Sequence, residues 1–89
     1  MKKELIDNIE WLSATINEYR DQENESKMSE FDMITLTGSF KLKKNCKLDE
    51  LKGLQKEINS YKKRLENIGY SLSSEFLTNN ILKIKIESI

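Results

Sequence analysis

Proline and histidine are absent from this chain of 89 residues, cysteine and tryptophan occur once each, and glycine occurs three times. Each scarcity excludes something. Without histidine there is no serine-type triad, no cysteine–histidine pair and no zinc site of ordinary ligands. No GxGxxG or GxxxxGK phosphate loop occurs either. Catalysis is therefore the class the sequence disfavours most, and no cofactor, metal or small-molecule substrate is expected. Cys46, alone, cannot close an internal disulfide. Its lysine neighbours Lys44 and Lys47 predict a lowered thiol pKa. The amino-terminal stretch MKKELIDNIEW is basic, but Glu4, Asp7 and Glu10 interrupt any apolar signal core. No run approaches the ~20 apolar residues of a membrane span. The expectation is a cytoplasmic protein with no membrane partner.

What the chain does contain is charge and isoleucine. Residues 1–89 suit a single domain that buries roughly 60% of its unfolded surface. Thirteen lysines, ten isoleucines and eight asparagines are choices favoured by A/T-rich codons, which points to a low-GC genome or one of its phages. Net charge is zero, yet residues 1–32 carry nine acids against four bases and residues 33–66 carry nine bases against four acids. Either these two regions neutralise each other on folding, or one of them presents a charged face to a partner.

Hydrophobic spacing sets the architecture. Leu5, Ile9, Leu12, Ile16 and Tyr19 recur at intervals of four, three, four and three, which predicts an amphipathic helix over about 3–20. Leu51, Leu54, Ile58, Tyr61, Leu65 and Ile68 predict a second helix over 48–68. Asp49 and Glu50 suit its first turn, Lys62, Lys63 and Arg64 its later turns, and Gly69 its carboxyl cap. Gly53 costs up to ~1 kcal/mol inside a helix and marks a candidate break. Residues 21–32 are acidic and aperiodic and read as a loop, with the composition of a mobile one.

A period of two follows. MITLTGSFKL, residues 33–42, sets Ile34, Leu36, Phe40 and Leu42 on one side of a half-buried strand, with Thr35, Thr37, Ser39 and Lys41 opposite. Gly38 lies on the buried side, where a missing side chain admits a close neighbour or a bulge. The carboxyl end reads as a hairpin. For Leu82, Ile84 and Ile86 to share a face with Leu72 and Phe76, its loop must be odd-numbered, and Thr78, Asn79 and Asn80 supply three residues. Phe76 then opposes Leu82, Leu72 opposes Ile86, and Glu75 opposes Lys83. The expected class is α+β, two layers in the order helix-strand-helix-strand-strand. A three-stranded, mainly antiparallel sheet with the last strand central has both helices on one face. Heptad spacing in the helices also permits a homodimer.

Two binding surfaces are candidates. The helix-strand-helix-hairpin order resembles a winged-helix domain, and INSYKKRLENIGY is similar to recognition helices of that family, which end in Leu-Glu-x-x-Gly-Tyr before the wing. The resemblance covers about a third of the chain. It implies a DNA-binding regulator that uses the basic helix 55–68 and the hairpin 70–88, with contacts from Asn59, Ser60, Lys62, Lys63 and Arg64. Lys41, Lys43, Lys44 and Lys47 would add phosphate contacts. That family places a separate short helix and turn before the recognition helix, whereas only seven residues separate Leu51 from Ile58.

The second candidate is acidic. At ~100° per residue, Trp11 lies about 120° from the centre of the first helix's apolar stripe, among acids. It is either packing at the rim of the core or an aromatic anchor for a partner. The leading expectation is a small interaction protein that binds a host protein, one engaged in defence or nucleic-acid processing, as a phage or mobile-element accessory inhibitor. Its contact set is Trp11, Glu4, Asp7, Glu18, Asp21, Glu23 and Glu25.

Overall fold

Leu5, Ile9, Leu12 and Ile16 are all buried on one side of the first helix, α1 (Lys3–Asn17), and Leu54, Ile58 and Leu65 on one side of the second, α2 (Leu48–Asn67). The computed structural model describes residues 3–20 and 31–89. The expected loop 21–32 lies outside the described residues over 21–30. Its last two residues are instead the first strand, β1 (Phe31–Asp32), followed by β2 (Thr37–Lys41), α2, β3 (Tyr70–Leu77), a 3-10 turn at Thr78–Asn80 and β4 (Ile81–Ser88).

These strands form one antiparallel sheet of order β1-β2-β4-β3. The class is α+β as expected, but the sheet has four strands rather than three. The last strand is central. Its register with β3 sets Phe76 against Leu82, Leu72 against Ile86 and Glu75 against Lys83. Asn80 takes the left-handed position of the odd loop, at φ 60°. Both helices cover one sheet face, where Phe40, Leu42, Leu72, Leu82, Ile84 and Ile86 complete the core. The other face stays polar, carrying Thr37, Ser39, Lys41, Ser71, Ser73, Lys83 and Lys85.

The fourth strand exists because the run 33–42 is not continuous. The Asp32 carboxylate accepts hydrogen bonds from the backbone N–H groups of Ile34 and Thr35, at 2.8 and 3.3 Å, and the Leu36 N–H donates to the Asp32 carbonyl at 2.8 Å. This local bonding competes with the ladder and bends the chain into a turn. Leu36 is left-handed at φ 57°, and Ile34, expected in the core, is 93% exposed. Phe31 thereby pairs with Gly38. A Cβ at Gly38 would stand 2.8 Å from the Phe31 ring, so the glycine is what admits this aromatic neighbour.

The helix ends follow local chemistry. α1 stops at Asn17, three residues short of the expected end, and Arg20 reaches back to donate to Asn17 Oδ1 at 2.9 Å. α2 runs through Gly53 without a break. Gly69, at φ 90°, turns the chain from α2 into β3, with its N–H bonded to the Glu66 carbonyl.

Candidate functional site

The solvent face of α1 is acidic and carries one large aromatic. Glu4 and Trp11 are seven residues apart and so lie in one line along α1, with Asp7 one turn before the tryptophan and Glu18 in the turn just past the helix end. Trp11 is 51% exposed. Among the described residues the single ion pair is Lys85 with Glu87, at 2.9 Å on the polar sheet face. Glu4, Asp7, Glu10 and Glu18 therefore have no ionic partner among them. Asp21, Glu23 and Glu25 lie outside the described residues.

One face of the Trp11 ring is nevertheless approached by a cation. The Arg64 guanidinium carbon lies 6.0 Å from the Trp11 ring centre and 5.4 Å from that of Tyr61. The two hydroxyls of Tyr61 and Thr15 are 3.3 Å apart, within hydrogen-bond reach. This seam joins α1 to α2 at the surface, and an exposed cation–π contact contributes about 0.5–1 kcal/mol. It takes a residue from each candidate set, the acidic and the basic, and stacks one on the other. Arg64 is therefore turned toward α1 while remaining exposed, and it diverges from Lys63.

The basic residues divide into separate groups. Lys62, Lys63 and Arg64 are consecutive and diverge by ~100° each, so they do not form one face. Lys41, Lys43, Lys44 and Lys47 lie at the far end of α2, ~24 Å of helix rise from Lys63. What α2 does present is a stripe of Lys52, Lys56, Asn59 and Lys63, spaced four, three and four and exposed throughout. Lys52 and Lys56 are absent from the set that the winged-helix resemblance implies. Reading the helical repeat backward from Lys63 finds them. Nor does α2 reproduce the separate preceding helix of that family, being one continuous element from Leu48 to Asn67.

Cys46 corrects another expectation. Burial and the nearby Glu50 push its thiol above the ordinary value rather than below it, and Lys43 counters only in part. Its Sγ lies 4.0 Å from the Tyr19 carbonyl, to which it donates. Tyr19 is likewise raised, by burial first and then by Glu57 and Glu18. A half-buried thiol of raised pKa is a poor nucleophile at neutral pH.

On α1 one buried polar group is left over among the described residues. Asn8 is buried at 8% exposure, its Nδ2 donates to the Glu4 carbonyl at 2.8 Å, and its Oδ1 has no partner among the described residues. On the polar sheet face a shallow depression of about 700 Å³ runs over Asp32, Thr37, Ser39, Ser73 and Lys83. No group of three or more acidic or cysteine side chains able to hold a metal ion occurs among the described residues. No described helix is long and apolar enough to cross a membrane. No protein-family model matches the chain, and no curated protein or solved structure matches it significantly.

Proposed function

We propose that this chain is a small non-enzymatic interaction protein that docks the acidic face of α1 on a basic surface of another protein. The observation that carries the reading is the half-exposed Trp11 in line with Glu4 on α1, beside an Asp7 that, like Glu4 and Glu18, lacks an ionic partner among the described residues. A large aromatic already held by Arg64 loses little side-chain freedom on binding, which is what an anchor needs. The surrounding acids supply long-range attraction to a cationic partner. A host protein whose basic surface ordinarily holds nucleic acid, such as a defence nuclease, is the target class this charge suits. An accessory inhibitor of a phage or mobile element is the setting that a residue composition favoured by A/T-rich codons suits.

A second reading, DNA binding by α2, is favoured by the exposed stripe Lys52, Lys56, Asn59 and Lys63. Affinity capture from the source cell after nuclease treatment separates the two. Recovery of a defined protein whose capture fails with Trp11→Ala supports the acidic face. Recovery of nucleic acid only when nuclease is omitted, with loss on Lys56→Ala and Lys63→Ala, supports the second reading and removes the first.

A further inference from the structure

We propose that β3 is a self-association edge, and that two copies of this chain pair their Tyr70–Leu77 strands antiparallel about a two-fold axis at Ser74. Among the described residues the sheet order leaves two edges, and they differ sharply. β1 is two residues long, whereas β3 runs for eight and is paired with β4 one-to-one, without a bulge. Open edges are ordinarily blunted by lysine, proline or a bulge. β3 has none of these, and Glu75 is its one charge.

The register follows from faces and charge. Residues directly opposed across an antiparallel pair share a face, so two copies that keep their helices on the same side must pair residues whose numbers sum to an even value. Centring on Glu75 is barred, because that carboxylate would meet its own copy. Centring on Ser74 pairs Leu72 with Phe76 on the helix-covered face, and Ser73 with Glu75 and Ser71 with Leu77 on the other. Phe76 and Leu77 are 41% and 37% exposed, and this register draws both into pairing. Centring on Ser73 leaves Leu77 outside.

The helix layer fits the same axis. Strands are spaced ~4.8 Å and packed helices ~10 Å apart, so two helices cover four strands and α2 would meet its copy at about one helix diameter. Ser74 lies ~13 Å along β3 from Tyr70, a rise that α2 covers in about nine residues back from Ile68, at Asn59. Antiparallel copies centred there set Lys52 of each beside Glu66 of the other. The side chains of Lys52, Asn59 and Glu66 are all exposed.

Sedimentation equilibrium from about 10 µM to 1 mM, a range matching a modest interface, tests the proposal together with amide exchange. The unmodified chain is expected to dimerise, with β3 amides gaining protection as concentration rises. Ser73→Glu sets two pairs of carboxylates face to face and should raise the dissociation constant by about tenfold or more. Ser73→Lys, opposite Glu75 of the copy, should lower it. Residue 73 faces solvent opposite Lys85 within the chain, so Ser73→Glu keeps the fold, checked by circular dichroism. A chain monomeric throughout, dimerisation that leaves β3 amides unprotected, or Ser73→Glu without effect would overturn the proposal. Weakening by Ser73→Lys would overturn the Ser74-centred register.

Discussion

The guanidinium of Arg64 stacks over Trp11, 6.0 Å from the ring centre, and so ties the acidic face of α1 to the basic half of α2. The contact is exposed, and its contribution should be correspondingly small. In a double-mutant cycle of Trp11→Ala and Arg64→Ala, chemical denaturation is expected to return a coupling of about 0.5–1 kcal/mol. Trp11→Ala alone should cost about 1 kcal/mol, against the roughly 3–5 kcal/mol typical of a core aromatic. A loss in the core range would place the ring inside the protein and withdraw it as an anchor.

Asp32 makes the turn that creates β1 a pH-sensitive element. Backbone N–H groups of Ile34 and Thr35 hold its carboxyl below the ordinary value. A depressed carboxyl stabilises the fold above the unfolded-state pKa, about 3.9, and that contribution is lost as pH falls through the lower folded value. Asp32→Ala should therefore lower the denaturation midpoint at pH 7, and its curve should converge with that of the parent protein in strong acid. Parallel curves down to acid would show that the turn does not depend on the ionised carboxylate.

Much of the molecule is legible in its sequence where one physical rule acts alone. The intervals from Leu5 to Ile16 and from Leu54 to Leu65 give both helices, and face parity alone gives the pairing of Phe76 with Leu82. The run 33–42 fails because two rules compete there: alternation continues through Ile34 while Asp32 binds the backbone ahead of it. Aspartate at the head of the run was the available signal. At the surface the limits are different. Trp11's angle off the apolar stripe is readable, but its meeting with Arg64 depends on how α1 lies against α2. Lysines near Cys46 suggest a lowered thiol pKa, while burial and Glu50, set by packing, raise it.

Asn8 offers a test of how α1 is packed. Its Oδ1 is buried without a partner among the described residues, and an unmet acceptor costs about 1–3 kcal/mol. Asn8→Leu should consequently stabilise the protein by about 1 kcal/mol in urea denaturation, the lost bond to the Glu4 carbonyl being partly offset by apolar packing. Destabilisation of similar size would mean that the amide contributes more to fixing α1 than its bonding suggests.

The acidic face should act mainly on encounter. Reversing Glu4, Asp7 and Glu18 to lysine is expected to slow association with a cationic partner by about tenfold or more at low salt, with a smaller effect at high salt. Stopped-flow mixing at two ionic strengths reads this directly, and an unchanged rate at both would put the interface on another surface.

The most direct test of the account is the dissociation constant of Trp11→Ala for the protein partner recovered by affinity capture, measured beside the unmodified chain. An anchoring tryptophan predicts weakening by about 2 kcal/mol or more, roughly thirtyfold, while the variant remains folded. An unchanged dissociation constant would contradict the claim that the acidic face of α1 is where this protein binds.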